Sequence, residues 1–120
     1  MLVLGVETSC DETAVAIVEK KSDFGGKVVN EIINSQIEEH KPYGGVVPEL
    51  SSREHVKYLK KITEKVLKKS GISIGDIDAF AATCGPGLLG GLLVGSNFVK
   101  SISLGLKKPF FAINHLQAHI

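Results

Sequence analysis

The chain has 120 residues, of which 43% are hydrophobic and 22% charged. This is the length of one domain with enough apolar content for a core, which excludes a largely disordered chain. The formal net charge of +1 gives no global electrostatic attraction to nucleic acid or to a membrane. Two cysteines, Cys10 and Cys84, are too few for a disulfide framework. They indicate a reducing compartment, in which both pack as small side chains.

The first third of the chain predicts three strands joined by tight turns. Residues 2–7 and 13–19 are rich in β-branched and apolar side chains, and polar residues connect them. A glycine turn then leads into a third predicted strand at residues 27–36. This order is typical of an antiparallel meander.

The next segment predicts a long amphipathic helix over residues 48–69. Val56, Leu59 and Ile62 recur at helical spacing. Pro48 suits a first helical position, and Gly71 suits the end of the helix. Lysines occupy the opposite side; a solvated face is the ordinary explanation for them, and contact with RNA phosphates is the alternative.

The remaining elements alternate between strand and helix. Residues 77–83 predict a fourth strand, 88–104 a second helix and 110–113 a fifth strand, after which a third helix is expected from Asn114. The last two strands are apolar without alternation and are reached by helical crossovers, so we expect them to be parallel. The predicted class is α/β, with a five-stranded mixed sheet and flanking helices over residues 1–120. This is the order of a ribonuclease-H-like lobe of the actin-like ATPase superfamily.

One uncharged stretch, residues 79–99, is long enough to cross a membrane. Gly85, Pro86 and Gly87 interrupt it, which favours a strand, a turn and a buried helix over a membrane span. The first residues enter strand-like sequence directly and do not resemble a targeting peptide. We therefore expect a cytoplasmic protein.

A polar turn follows the first strand and contains Thr8, Ser9, Asp11 and Glu12. Hydroxyls and backbone amides in such a turn can hold a phosphate, and the carboxylates can hold a cation or act as a base. An ordinary hairpin turn is the competing interpretation, because these residue types favour turns in general.

A glycine-rich segment, residues 85–91, joins the fourth strand to the second helix. Gly85 and Gly87 would let a phosphate approach the backbone at a helix N-terminus. The competing interpretation is close packing, because Gly87, Gly91 and Gly95 repeat every four residues. Such a stripe lets a helix of this chain or of a partner come near.

Two histidines, His115 and His119, lie four residues apart in the expected third helix. This spacing places both imidazoles on one face, within reach of one metal ion. A metallopeptidase would require glutamate directly after the first histidine, where this chain has Leu116. Two histidines also leave a metal under-coordinated, so a further ligand must come from elsewhere.

In their order, these segments resemble the TsaD/Gcp family of tRNA adenosine threonylcarbamoyltransferases. The resemblance rests on LGVETSCDET at residues 4–13, YGGVVPEL at 43–50, GPGL at 85–88 and the two histidines. It covers all 120 residues. It implies the N-terminal lobe of a longer two-lobed, actin-like enzyme, with its third helix truncated and the isolated chain inactive.

The resemblance also implies a reaction and a set of site residues. A threonylcarbamoyl group passes from threonylcarbamoyl-AMP to the adenosine beside the tRNA anticodon. Asp11 and Glu12 are the implied catalytic residues. His115 and His119 are the implied ligands of iron or zinc, with a third ligand from the second lobe. The implied substrate- or phosphate-binding residues are Thr8, Ser9, Gly85 and Gly87.

The implied partners are tRNA, an ATPase and a smaller paralogue of the same fold, which contacts the two long helices. We expect these helices to lie side by side on one face of the sheet, and a homodimer to form in the absence of the paralogue. Three other functions remain open. They are a non-catalytic dimerising paralogue, a sugar-kinase or Hsp70-like ATPase lobe, and a metallopeptidase.

Overall fold

A computed structural model describes residues 1–8, 12–22, 25–35, 48–85 and 89–114 of the chain. In chain order, the elements are strands β1 (Leu2–Glu7), β2 (Glu12–Ser22) and β3 (Gly25–Ser35), helix α1 (Pro48–Ser70), a short 3-10 helix (Ile74–Asp76), strand β4 (Ala79–Gly85), helix α2 (Leu89–Leu106) and strand β5 (Phe110–Asn114). The predicted five strands and two long helices are thus confirmed.

The strands form one sheet in the order β3-β2-β1-β4-β5. The β1–β2 and β2–β3 pairs are antiparallel, whereas the β1–β4 and β4–β5 pairs are parallel. The predicted mixed sheet, with its meander followed by parallel strands, is therefore confirmed. Neither described helix is long and apolar enough to cross a membrane.

The element boundaries differ from the sequence prediction where polar residues take part in strands. β2 extends to Ser22 and β3 begins at Gly25, and the two strands pair as far as these residues. The added positions include charged residues and have no apolar alternation. Ile77 is fully buried but caps the C-terminus of the 3-10 helix, and β4 begins at Ala79, two residues later than predicted. Asn114, the predicted start of a third helix, instead pairs with Gly85 as the last residue of β5. Residues 115–120 lie outside the described residues.

The hydrophobic core lies between one face of the sheet and the two helices, which contact each other as expected. Successive strand residues point to opposite faces of a sheet. This alternation places one set of strand side chains against the helices. The fully buried side chains include Leu4, Val15, Ile17 and Phe80 from the sheet and Leu59, Val66 and Val99 from the helices. Burial of each large side chain contributes about 1.5–3 kcal/mol.

The other face of the sheet carries small or exposed side chains. Gly5, Ala14, Ala16 and Ala81 lie on this face near the middle of the sheet. On the parallel side, Phe111 remains 50% exposed. We call this surface the open face.

Helix α1 ends on Gly71, whose φ of +67° lies in the left-handed region. The Gly71 amide donates to the Lys68 carbonyl at 3.2 Å, and the Ile72 amide donates to the Leu67 carbonyl at 3.1 Å. This is the bonding pattern of a Schellman motif, which satisfies carbonyls at the helix end. The predicted glycine stop is therefore confirmed.

We expect Gly71→Ala to lower the free energy of unfolding by about 1 kcal/mol, because a side chain at positive φ is strained. Urea denaturation of the chain measures this change. Gly75→Ala is the matched control, since an added methyl there meets nothing within 4 Å and φ is not positive. Equal stability of Gly71→Ala and wild type would contradict the assignment of this cap.

Candidate functional site

The carboxyl ends of β1, β4 and β5 meet at one edge of the sheet, because the three strands are parallel. Ligands of open α/β sheets bind outside this edge. β1 stops at Glu7, which pairs with Ala14 of β2. Its two neighbours extend two residues farther, to Glu12 on β2 and Gly85 on β4. We call this stepped edge of the sheet, at which β1 ends at Glu7, β2 begins at Glu12 and β4 ends at Gly85, the notch.

Glu7 lies at the floor of the notch, where its side chain meets that of Thr83 on β4. The Thr83 hydroxyl donates a hydrogen bond to Glu7 Oε2 at 2.6 Å. This length is typical of a hydroxyl bonded to a carboxylate. Thr83 is 6% exposed, so the bond is sheltered from water. It joins residues 76 positions apart and ties the end of β1 to β4.

A cavity of about 260 Å³ opens beside this pair on the open face. Its walls are formed by Gly5, Val6, Glu7, Ala14, Ala16, Ala81, Thr83 and Ile113. A second cavity of about 270 Å³ lies next to it, lined by Cys84, Ala112, Ile113 and Asn114. Ile113 borders both cavities. The space beneath the notch is present because most of the lining residues, glycine and alanine among them, have small side chains.

Thr8 follows Glu7 but is turned to the other side of the sheet, where it is buried with 1% exposure. It packs against Gly95 of α2. A methyl group at Gly95 would overlap Thr8 Oγ1 and lie 3.4 Å from Thr8 Cβ. Of the two interpretations of the glycine stripe, packing within the chain therefore holds at Gly95. At this position the stripe contacts the chain's own turn and not a partner helix.

The structure describes only part of the predicted site. Glu12 begins β2 and Gly85 ends β4, on opposite sides of the notch, although the Glu12 side chain is not described. The other predicted residues lie outside the described part of the chain: Ser9, Asp11, Gly87, His115 and His119. Among the described residues, no group of three or more His, Cys, Asp or Glu side chains could hold a metal ion.

Three polar or reactive residues at this edge received no functional role from the sequence: Glu7, Thr83 and Cys84. Glu7 and Thr83 are each polar residues at the carboxyl end of an otherwise apolar strand, which is a signal that could have found them. Cys84 was expected to pack as a small side chain, and this expectation was wrong. Its thiol is exposed, at an irregularity in the pairing of β4 with β5.

A family comparison identifies the family. The model of tRNA N6-adenosine threonylcarbamoyltransferase, TsaD, matches residues 27–120. The chain belongs to the TsaD family. The transferase of that name from Brucella abortus strain S19 is 50% identical to this TsaD-family chain over 119 residues, and that of Brucella anthropi is 49% identical. Each match covers 99% of this chain and 33% of the relative, so the chain spans about a third of the relatives' length.

Solved structures similar to this TsaD-family chain support the fold alone, because their sequence identity is low. YeaZ from Pseudomonas aeruginosa has a TM-score of 0.69 and 18% identity, with 94% of this chain and 42% of that chain covered. RuvC from Thermus thermophilus, solved with a Holliday junction substrate, has a TM-score of 0.59 and 13% identity. The match covers 98% of this chain and 68% of that chain. The predicted ribonuclease-H-like architecture is thus confirmed.

We expect Gly95→Ala to lower the free energy of unfolding by about 1–3 kcal/mol, because the added methyl would displace the buried Thr8 side chain. Gly105→Ala is the matched control in the same helix. An added methyl at Gly105 meets nothing within 4 Å, and alanine is favoured over glycine in a helix by up to about 1 kcal/mol. Urea denaturation of the two variants should therefore give shifts of opposite sign; a stabilised Gly95→Ala would contradict the contact.

Proposed function

We propose that this chain forms the N-terminal part of a transferase that moves a threonylcarbamoyl group from threonylcarbamoyl-AMP to the adenosine beside the tRNA anticodon. The observation that carries the proposal is the TsaD match over residues 27–120. The notch supports it, because the carboxyl edge of parallel strands is where α/β proteins bind ligands. The rest of the active site would come from the part of the relatives that this chain does not span.

The proposed chemistry is attack of the adenine exocyclic amine on the carbamoyl carbon. A carbon–nitrogen bond forms, the bond between that carbon and the phosphate oxygen breaks, and AMP leaves. The amine loses one proton, and we assign Asp11 and Glu12 to orient the amine and accept that proton. Because two large substrates must be aligned, much of the rate acceleration would come from positioning.

We assign Ser9, Gly85 and Gly87 to the phosphate of the donor, through a hydroxyl and backbone amides. Thr8 stays in this set as a prediction. Its side chain is buried against Gly95, so we assign it a contribution from the backbone and an anchoring role for the turn.

We further propose that His115 and His119 hold one iron or zinc ion, with a third ligand from beyond this sequence. When bound, such an ion acts as a Lewis acid that orients the threonyl moiety and stabilises developing charge. The histidine pair also argues against the alternative of a non-catalytic paralogue, for which two metal ligands would serve no purpose. Leu116 argues against a metallopeptidase, because it replaces the glutamate needed as a base.

The proposed partners are tRNA, an ATPase and a smaller paralogue of the same fold, with a homodimer as the alternative pairing. The two helices that would meet the paralogue, α1 and α2, lie together on one face of the sheet. The structural similarity to YeaZ shows that a protein of the same fold exists that could serve as such a paralogue, and it carries no further argument.

The direct test is formation of threonylcarbamoyladenosine in unmodified tRNA by the full-length gene product, with a separate synthase supplying the adenylate. We expect Asp11→Ala with Glu12→Ala to abolish product, because both carboxylates are lost, and to preserve folding. Mass spectrometry of digested tRNA measures the product, and circular dichroism measures folding. We expect no transfer by the 120 residues alone.

Glu31→Ala is the matched control for this test, because Glu31 is an exposed carboxylate on β3, away from the notch. Its activity should equal that of wild type. Wild-type activity in the Asp11 and Glu12 double variant would remove both residues from the catalytic set. Absence of product with the wild-type protein and its partners would refute the proposed transfer.

We expect His115→Ala to reduce the iron or zinc content of the full-length protein, because one of few ligands is removed. Metal bound to the 120 residues alone should be weakly held, since two ligands leave the ion under-coordinated. Elemental analysis after dialysis measures both. His55→Ala is the control, as no histidine lies four residues from it. Stoichiometric metal that survives His115→Ala would contradict the assignment.

A further inference from the structure

We propose that the sheet edge opposite the notch binds the phosphate backbone of tRNA, through lysines at the start of β3 and at the ends of α1 and α2. The proposal rests on the proposed function, because it takes tRNA as the substrate. It adds a surface that holds the RNA at a distance from the reacting adenosine. The lysines are Lys27, Lys68, Lys69, Lys107 and Lys108, and we call this surface the basic edge.

The topology brings the ends of both helices to this edge. Each helix leads into the amino end of a parallel strand, α1 through the 3-10 helix into β4 and α2 into β5. Lys68 and Lys69 lie in the last turn of α1, and Lys107 and Lys108 directly follow α2. All four lysines are therefore at the amino edge of the parallel strands.

Strand pairing brings Lys27 to the same edge. Lys27 lies opposite Glu19 of β2, and Glu19 lies opposite Leu2 at the start of β1. The amide of Asp78, one residue before β4, donates to the Leu2 carbonyl at 2.9 Å. β5 is the next strand of the sheet and begins two residues after Lys108. Four strand spacings separate β3 from β5, so the basic edge is about 19 Å long.

Positive charge predominates near this edge. The described residues there include seven lysines and three carboxylates: the basic edge with Lys20 and Lys21, and Glu19, Asp76 and Asp78. Glu7 and Glu12 lie at the opposite edge of the sheet. The net charge of +1 for the whole chain therefore conceals a local excess of positive charge.

The carboxylates near the basic edge are engaged by groups of this chain. Glu19 lies 3.7 Å from the ammonium group of Lys21. Asp76 and Asp78 each accept a hydrogen bond from a backbone amide, at 3.0 and 2.8 Å. By contrast, no lysine of the basic edge has an ion-pair partner among the described residues. All of these lysines except the half-buried Lys108 are exposed, so their ammonium groups can meet an anion from solvent.

A row of lysine ammonium groups suits a phosphate backbone. An ammonium group is a point charge with three donors, and it lacks the planar fork with which arginine makes bidentate contacts. Phosphate contacts position a nucleic acid and carry no sequence information. Binding at the basic edge should therefore depend steeply on salt and little on the RNA sequence.

The distance between the basic edge and the notch determines what such binding does. β1 has six residues, so the two edges are about 20 Å apart. Lysines at the basic edge therefore do not contact the reacting amine. Their contacts with the RNA are equally strong in the ground state and in the transition state, so they lower KM for tRNA and leave kcat unchanged.

The first variant combines Lys68→Gln and Lys69→Gln in the full-length gene product. Fluorescence anisotropy measures its affinity for unmodified tRNA at several KCl concentrations. Each phosphate contact contributes about 0.7–0.9 to the slope of log affinity against log salt, so we expect the loss of two contacts to reduce the slope by about 1.5. With the two lines meeting at about 1 M salt, Kd at about 0.1 M KCl rises roughly 30-fold.

The matched control combines Lys60→Gln and Lys61→Gln, an identical pair of exposed lysines in the same helix. The change in net charge is the same, but this pair lies about 12 Å from the first along the helix axis. That distance exceeds the screening length of about 8 Å at physiological salt. We expect the slope and Kd of the control to equal those of wild type. Lys68→Arg with Lys69→Arg keeps both charges and should also bind as wild type.

Lys27→Gln with Lys107→Gln tests whether β3 and the end of α2 belong to the same surface. Each contributes one lysine, and we expect a similar loss of slope. In steady-state assays, both basic-edge variants should raise KM for tRNA and leave kcat and KM for the adenylate donor unchanged. Thermal melting shows whether each variant is folded. Should the variant of Lys68 and Lys69 fail to fold, this second variant decides by the same criteria.

The outcomes distinguish the basic edge from the function on which it rests. A wild-type protein that, with its partners, neither binds nor modifies tRNA overturns both. If wild type modifies tRNA and the folded variant of Lys68 and Lys69 binds it with the wild-type slope, the function stands and the basic edge is refuted. An equal loss in the control of Lys60 and Lys61 also refutes it, because the effect then follows net charge. A fall in kcat with unchanged KM refutes it as well, since the lysines would then act on the reacting groups.

Discussion

The alternation of side chains along β1 is the constraint on which the rest of the structure depends. Leu4 and Val6 point into the core, whereas Gly5 and Glu7 point to the open face. A shift of one residue in the register would exchange the two sets, burying a carboxylate and exposing the core side chains. Since β1 pairs with β2 on one side and β4 on the other, its register also sets theirs. The core and the notch therefore have a common origin.

The two helices stabilise this arrangement from one side and influence the site through one contact. α2 brings Gly95 against the buried Thr8, the residue directly after Glu7. Glu7 and Thr8 are thus held from opposite faces, one by the Thr83 hydroxyl and the other by a helix backbone. A helix with a side chain at position 95 could not approach as closely.

The family and the fold support different parts of the functional argument. Half of the residues are identical to those of Brucella transferases, which sets the reaction class to be tested. YeaZ and RuvC share the architecture at much lower identity, so the fold itself is compatible with unrelated activities. The chemistry must therefore be argued from side chains at the sheet edge.

Local patterns in the sequence are sufficient to predict the order of elements, the class of the sheet and the family. The signals used were apolar periodicity, the glycine stop at Gly71 and four ordered motifs. These signals are local, so they can be recognised without knowing which distant residues are in contact. The sequence also predicted that the residues of the polar turn and the histidine pair belong to the functional site. The boundaries of β2 and β4 could not be read in this way, because pairing with a neighbour strand, and not hydrophobicity, decides where such strands end.

Only the tertiary structure decided which distant residues meet. Glu7 and Thr83 are 76 positions apart and join because β1 and β4 are adjacent and parallel. From the sequence, the glycines could serve either phosphate binding or close packing. At Gly95, the burial of Thr8 against the helix shows that the glycine serves packing. Cys84 is exposed at the position where the pairing of β4 with β5 is irregular. Each of these results depends on register and on packing across the sheet, which no local pattern encodes.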